Sequence, residues 1–444
     1  MKVLIFAWGS RGDVQPYLAL AHALNEAGHD ATLAATVTHT ALAAEYGVRF
    51  FPRDDAQLKL LERPDVREVM QLEASKVLGE QTKAQAKEFK AKVKQVMANV
   101  VPLLKEQFGP MLDEQLKAAQ EIRPDVIVVS HATQEYGHFV AEAVGVPYLV
   151  AELYPFYQPS WHYPSMPFQR KSMPRPLNRL SHLLPKLIIP MKKKADRWRE
   201  ETLGLPRRRG RFNRLRTADG QPVSMLHMFS RHLFPPAPDW PASVHNTGFS
   251  YLPTPSGYEP PEELVRFLAA GEPPVAIGFG SHSNPDPRKT GRMITEAVTT
   301  AGVRAVVIKG GGGIEVTDPT DKMIMVDGAN FAWLTPQLAG MVHGGGVGVT
   351  HDALLGGIPS LACPLFGEAA MWADRTKRAG AGLEPVWQAK LTTPELTTAL
   401  RKLATDADLA AGAAEMHRKI LAEPGHPLAI EVIERTAAKA PVTA

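Results

Sequence analysis

Residues 342–375 read VHGGGVGVTHDALLGGIPSLACPLFGEAAMWADR. An apolar run ends at His343, and a glycine cluster follows at Gly344, Gly345, Gly346 and Gly348. A helical pattern starts near Thr350. After Gly357-Ile358-Pro359 come a short apolar run to Pro364 and an acidic-aromatic loop with Glu368 and Trp372. Strand, glycine turn, helix and strand make half of a nucleotide-binding α/β unit. Glycines let the backbone approach a phosphate, and a helix start supplies free N–H groups and about half a positive charge. The stretch predicts an anion or nucleotide site in the C-terminal half.

The same alternation extends on both sides. Upstream, Val275–Phe279 reads as a strand, Gly280-Ser281 as a turn and Arg288–Ala301 as a helix. Strands follow at 305–308, 323–326, 341–342 and 360–363, and helices at 393–405, 409–421 and 430–440. In the N-terminal half, Val3–Ala7 is a buried-strand run, turned by Gly9-Ser10-Arg11-Gly12-Asp13 into a helix over 14–27. Further strands are expected at 31–35, 48–51, 125–130 and 146–151. Residues 56–122 read as two or three surface helices broken near Gly79 and Pro102. Residues 154–190, rich in Pro, Tyr, Trp and His, read as a loop that lines or covers a pocket. The stiff run PPAPDWP at 235–241, with Pro253 and Pro255, marks a boundary. The expected organisation is an α/β domain over 1–235, a linker over 236–257 and a second α/β domain over 258–424. Residues 425–444 should form a last helix packing back on the first domain.

The 444 residues are right for two domains, and 44% apolar with 22% charged is an ordinary globular composition. No apolar run approaches ~20 residues, so no transmembrane helix is expected. The N-terminal run lacks a small-residue cleavage site and reads as a strand rather than a signal peptide. The single cysteine, Cys363, fits a reducing cytoplasm and a buried core thiol. The net charge of +4 hides an asymmetry: residues 170–216 hold sixteen basic and three acidic side chains, leaving −9 on the rest. That segment is either a solvated helix and loop, or a surface that attracts an anionic membrane or an acidic acceptor. Nucleic acid is not expected, because no interleaved aromatic pattern accompanies the charge. No His, Cys or Asp spacing makes a metal site. Lys309-Gly310-Gly311-Gly312-Gly313 lacks the P-loop spacing and reads as a flexible loop.

Six short motifs appear in order: GSRGDVQPYLALAHAL at 9–24, GVPY at 145–148, PDWP at 238–241, GFGS at 278–281, WLTPQ at 333–337, and the opening stretch. Together they resemble the family-1 glycosyltransferases of GT-B fold, especially the bacterial branch with sterol and antibiotic glycosyltransferases. The resemblance implies two facing Rossmann-like domains with a cleft between them. It also implies inverting, metal-independent transfer of a sugar from a UDP or dTDP sugar to a lipophilic acceptor. No cofactor beyond the nucleotide sugar is implied. Asp13 stands at the position of a general base, worth roughly 10²–10⁴ in rate; the plainer reading is a helix-capping carboxylate. Ser10 and Gly12 would shape the same loop. His131 and Glu135 reach the acceptor or are simple surface or cap residues. On the donor side the resemblance implicates Gly280 and Ser281 for the diphosphate. It implicates Trp333 and Gln337 for the base, where the plainer reading is a core Trp. The remaining donor contacts would be His343, Gly345, Gly346, Gly348, Val349, Thr350 and Glu368.

Two positions depart from the family pattern. The family carries two histidines before its glycines, the second contacting the donor phosphates; here His343 takes the first place and Gly344 the second. The family's sugar-gripping Asp-Gln is Glu368-Ala369 here. By analogy with an oxyanion-hole donor, losing a phosphate donor costs roughly 2.7–4 kcal/mol. His351 or Thr350 could compensate. The alternatives are a different donor, or an accessory binding protein that no longer transfers sugar.

Overall fold

The computed structural model describes residues 1–439 except 62, 64, 67, 68, 70–82, 133, 134, 169–172, 184–190, 209–212, 281–285, 312, 366 and 367. Ser281 and Gly79 therefore lie outside the described residues. The chain forms two compact units. The first holds Met1–Arg231, Pro235–Leu252 and Pro424–Ala444; the second holds His232–Phe234 and Pro253–Glu423.

The first unit is built on seven strands: β1 (Lys2–Phe6), β2 (Asp30–Thr36), β3 (Arg49–Arg53), β4 (Val126–Ser130), β5 (Tyr148–Glu152), β6 (Met225–His227) and β7 (Val244–Asn246). All pairs are parallel, in the order β3-β2-β1-β4-β5-β6-β7. Val3–Ala7 and Val126–Val129 are fully buried. Parallel strands covered on both faces read as unbroken apolar runs, which is why the sequence shows them. The second unit has five parallel strands: β8 (Val275–Gly278), β9 (Ala305–Ile308), β10 (Met323–Val326), β11 (Gly340–His343) and β12 (Ser360–Ala362), ordered β10-β9-β8-β11-β12. The two α/β sheets match the Rossmann-like fold class expected above. In each unit the chain first builds outward in one direction, then returns past its first strand. The order reverses between β1 and β4, and between β8 and β11.

Several local expectations differ from the structure. A single 40-residue helix, Lys83–Ile122, runs through Pro102 and Pro110 where a break near Pro102 was expected. Each interior proline costs about 3 kcal/mol. Phe108, Met111 and Leu112 are buried in the core of the first unit, and each contributes about 1.5–3 kcal/mol. Burial outweighs the local penalty. Glu368 and Trp372 lie not in a loop but on the helix Glu368–Arg378, with Trp372 fully buried. Residues 225–227 and 244–246 add strands β6 and β7, too short to show a period.

The C-terminal helix Gly425–Ala437 belongs to the first unit. Ser250 Oγ donates to the carbonyl of Pro16 at 2.8 Å, and His426 Nε2 lies 2.8 Å from the same hydroxyl. His29 Nε2 sits 3.1 Å from Glu434 Oε1. These contacts tie the last helix to the first one, Arg11–Glu26.

Part of the basic segment is internal. Glu142, fully buried, takes Arg199 at 2.5 Å on one oxygen and Arg208 at 2.6 Å on the other. Arg199 also lies over the Phe139 ring at 4.8 Å. Arg214, 3% exposed, donates to the Tyr157 hydroxyl at 2.8 Å. Three of the sixteen cations therefore hold the fold rather than a partner; Arg170, Lys171, Lys186, Arg209 and Arg211 lie outside the described residues. Removing one side of a buried ion pair leaves a stranded charge. Glu142→Ala is expected to lower unfolding stability in urea by about 3–5 kcal/mol. Arg197→Ala, on an exposed pair, should change it by less than about 1 kcal/mol. Equal effects would mean that the Glu142 cluster contributes nothing special.

Candidate functional site

In open parallel sheets, ligands bind at the carboxyl ends of the strands where the order reverses. In the first unit that point lies between β1 and β4, paired Phe6 to Val129. The turn after β1 leads through Gly9, whose φ is +131°. A Cβ there would stand 2.5 Å from Asp13 Oδ2, so only glycine fits. Ser10 donates twice to Asp13 Oδ2, from its N–H and its hydroxyl, both at 2.9 Å. Both bonds fall on Oδ2, and Oδ1 has no partner among the described residues. Burial raises the Asp13 pKa, and the two Ser10 bonds oppose that rise. The carboxylate is held in place, partly desolvated, with one oxygen left for a ligand. Gly12 is exposed on the same turn.

Across the reversal, His131 follows β4 and is 7% exposed. Its Nδ1 lies 3.1 Å from the Tyr17 hydroxyl, which donates to the carbonyl of Ala151 at 2.8 Å. Its carbonyl accepts from the Tyr157 hydroxyl at 2.9 Å. Burial, then the nearby Arg214, pulls the ring's pKa down to about 3. Glu135 is neither a surface nor a cap residue. It is fully buried, with Oε1 2.8 Å from Arg53 Nη1, and the Arg53 side chain is 1% exposed. Buried ionised groups need partners, so Glu135 serves Arg53 at the end of β3.

In the second unit the reversal lies between β8 and β11, where Gly278 pairs with His343. Gly280 follows β8 with φ +76°. Its carbonyl accepts from Gly311 N–H at 3.0 Å, and a Cβ on Gly310 would meet that carbonyl at 2.3 Å. The glycine run after Lys309 is therefore tied down at its first members, not a loose loop. After β11, Gly345 has φ +80° and donates its N–H to His343 Nδ1 at 3.0 Å. An imidazole nitrogen that accepts carries no proton, so in the neutral ring the proton sits on Nε2. Burial keeps the ring neutral, with its pKa pulled to about 4. Nε2 is buried and has no partner among the described residues.

Gly346 caps the helix Val347–Leu355 without a side-chain bond. The first intrahelical bond runs from Thr350 N–H to Gly346 at 3.1 Å. The N–H groups of Val347, Gly348 and Val349 before it have no partner among the described residues. Thr350 Oγ1 is likewise buried and unpaired. A buried donor without a partner costs about 1–3 kcal/mol, a cost that an acceptor beside the His343 Nε2 and Thr350 Oγ1 atoms would relieve.

His351 does not compensate for Gly344. Its Nδ1 lies 2.8 Å from the carbonyl of Val347, and its ring packs edge-on against buried Trp372 at 5.4 Å. Ala369 packs against the turn, 3.4 Å from where a Gly345 Cβ would stand. Glu368 opens the helix Glu368–Arg378 and is half-buried. Trp333 is half-buried beside Tyr258, ring centroids 5.9 Å apart. Gln337 donates its amide N–H to the carbonyl of Trp333 at 2.9 Å. The sequence reading missed Tyr17 and the free Nε2–H of His343. A histidine directly before Gly-Gly was the available signal for the second; nothing local marks the first.

Comparison with known proteins points to glycosyltransferases. The family model described as glycosyltransferase family 28, N-terminal domain, matches residues 3–161. The erythromycin biosynthesis protein CIII-like C-terminal domain matches residues 297–438. The O-mycaminosyltylonolide 6-deoxyallosyltransferase of Streptomyces fradiae is 30% identical over 454 residues, covering 98% of each chain. A sterol 3-beta-glucosyltransferase of Arabidopsis thaliana is 29% identical over 90% of this chain, which spans only 62% of that relative's length. In fold, the chain resembles the glycosyltransferase VinC in complex with dTDP, with a TM-score of 0.64, 18% identity, and 98% and 99% of the two chains covered.

Asp13 is a helix cap, its Oδ2 accepting from the N-cap Ser10, and its Oδ1 leaves room for a second role as a base; pH-dependent stability separates the two. A carboxyl whose folded pKa is raised above its ordinary 3.8 favours the fold while protonated, and loses that contribution as pH rises through the folded value. Above that folded value ionised Asp13 thus weakens the fold. Asp13→Asn is expected to match or exceed the wild type in urea unfolding at pH 7, with the difference closing below about pH 3.8. A loss of about 1 kcal/mol at pH 7 would identify a plain helix cap instead.

Proposed function

Because this chain belongs to the family-1 glycosyltransferases of GT-B fold, we propose that it is an enzyme of the sterol and antibiotic glycosyltransferase type with the following reaction. It moves a sugar from a UDP or dTDP sugar to a hydroxyl of a lipophilic small molecule, with inversion and without a metal. One observation carries the donor half: the buried, unpaired Nε2–H of His343 beside the free N–H groups of Val347, Gly348 and Val349. A diphosphate supplies the acceptor oxygens that these donors lack, and the helix start favours its charge. Thr350 Oγ1 adds a hydroxyl to the same turn. In this reading the missing imidazole at Gly344 is covered by His343, and the leaving diphosphate is neutralised by protein donors rather than by a cation.

Trp333 offers an aromatic face for the nucleotide base, with Gln337 beside it. Glu368 accepts from sugar hydroxyls, and Gly280 shapes the diphosphate turn. In the first unit Asp13 Oδ1 takes the proton of the acceptor hydroxyl. The hydroxyl oxygen of the acceptor then forms its bond to C1 of the sugar, the bond from C1 to the diphosphate oxygen breaks, and the nucleoside diphosphate leaves with the electron pair. Inversion follows from a single displacement. Ser10 and Gly12 shape the loop, and His131 meets the acceptor. The acceptor classes named by the relatives, sterols and a mycaminosyl tylonolide, set the first panel to try.

A second surface concerns how a lipophilic acceptor is reached. Among the described residues no helix is long and apolar enough to cross a membrane. Yet Leu177, Leu180 and Leu183 stand 47%, 57% and 48% exposed beside exposed Arg175 and Arg179. Apolar side chains with interleaved cations suit the surface of an anionic bilayer, and this face is the docking surface we favour within the basic segment. The buried Cys363 thiol, its pKa pushed up by burial, fits a reducing compartment such as the cytoplasm.

Thermal shift and calorimetry with UDP and dTDP test the donor half. At least one should bind, and His343→Ala should weaken it about 10–150-fold. Absence of binding by both would leave an accessory protein with a degenerate donor site, or one using an atypical nucleotide. Asp13→Asn should keep nucleotide binding while losing transfer by about 10²–10⁴; unchanged turnover removes Asp13 as the base. For docking, the protein should co-sediment with phosphatidylserine-containing vesicles at low salt and lose this on Leu180→Asp. No co-sedimentation of the wild type overturns that surface.

A further inference from the structure

We propose that Tyr17 is a positioning residue that fixes His131 in the tautomer protonated on Nδ1. The Nε2 lone pair then selects acceptor molecules that present a hydrogen-bond donor. This rests on the first unit's strand reversal being the acceptor site.

The argument is one of proton counting. A tyrosine hydroxyl has one proton to give. At 2.8 Å the carbonyl of Ala151, which can only accept, takes the Tyr17 proton. The backbone N–H of His131 also points at the same oxygen, at 3.4 Å. Toward His131 Nδ1, at 3.1 Å, the hydroxyl oxygen can therefore only accept. The ring must put its proton on Nδ1, because the other tautomer would set two lone pairs against each other. Nε2 is left as an acceptor, and it has no partner among the described residues.

Every neighbour helps to hold this arrangement. The ring lies edge-on to Tyr154, centroids 4.6 Å apart. The His131 carbonyl is held by the Tyr157 hydroxyl, itself held by Arg214. Burial, then Arg214, keeps a second proton off the ring, while Glu152, Asp13 and Glu135 raise the Tyr17 pKa beyond what burial alone does. The β4 and β5 ends that supply His131 and Ala151 are paired Ser130 to Ala151, so the sheet register sets the spacing.

A lone pair in a dry wall discriminates by sign. It accepts an O–H or N–H and repels a ketone or ether oxygen. The reacting hydroxyl gives its proton to Asp13, so the group read by Nε2 is a second donor on the same molecule. A substrate with two hydroxyls suits the site better than its keto counterpart.

Selective ¹⁵N-histidine labelling of the full chain tests the tautomer without any substrate, with His131→Gln to assign the signal. The expected result is a pyrrole-type Nδ1 and a pyridine-type Nε2 for His131 from pH 5 to 9. Tyr17→Phe should release a mixture of tautomers. A protonated Nε2 in the wild type, or an unchanged pure tautomer in Tyr17→Phe, overturns the role of Tyr17. Estradiol against estrone then tests selection, since the two differ by hydroxyl against ketone at one position. Binding should favour the diol about fivefold or more in the wild type and approach parity in Tyr17→Phe. Equal binding in the wild type refutes selection by Nε2. The nitrogen shifts need neither nucleotide nor turnover, so their outcome is separate from that of the sugar-transfer reading.

Discussion

Parallel strands cannot be joined by tight turns, and this constraint shapes both units. Each crossover must climb over a face of the sheet and return, so every strand releases its chain at the same edge. Where the order reverses, two neighbouring strands send their chains to opposite sides and leave a gap at that edge. The first unit places Asp13 after β1 and His131 after β4 at such a gap. The second places Gly280 after β8 and the His343 turn after β11. All the chemistry argued above hangs on these two pairs of strand ends. Apart from His343, the last residue of β11, the strands carry none of it; their apolar runs hold the edges in register.

Hydrogen-bond accounting separates a site from a buried support. Arg53 and Glu135 are sealed together as an ion pair, each satisfying the other's charge, although Arg53 Nε and Nη2 and Glu135 Oε2 have no hydrogen-bond partner among the described residues. The His343 turn is different in kind. Its glycines bring three amide groups, a threonine hydroxyl and the Nε2 of an imidazole into one short stretch, with none of these atoms paired among the described residues. In the donor reading proposed above, an anion supplies the acceptors that these groups lack. Gly345 is the pivot, because its left-handed backbone turns its own N–H onto His343 and thereby decides which ring nitrogen keeps the proton. The same logic at His131 runs through Tyr17 and gives the opposite tautomer. One histidine is set to donate and the other to accept, and neither setting comes from charge.

The basic segment shows how composition misleads when charge alone is read. Arg199, Arg208 and Arg214 looked like part of one cationic surface. Two of them converge on Glu142, sixty residues or so earlier in the chain, and the third stacks on Tyr157. Their partners lie on β4- and β5-linked elements that no local window contains. What remains outside is a smaller patch, and its exposed leucines, not its net charge, give it a direction.

The sequence by itself determined the alternation of strands and helices, the two glycine turns and the order of motifs along the chain. These are local or near-local properties: burial on both faces writes apolar runs, and a close backbone approach writes glycine. The helix through Pro102 and Pro110 escaped it, since long-range burial of Phe108 and Leu112 overrode a local penalty. So did β6 and β7, whose three residues are too few for a period to show. Only the tertiary structure decided that Glu135 is sealed, that His351 turns into the core and that His343 keeps a free Nε2–H. It also decided that Tyr17, buried on the first helix, commands the tautomer of a histidine 114 residues away. Those outcomes depend on which strand ends become neighbours, and that adjacency is fixed by sheet order, which no single stretch of the chain contains.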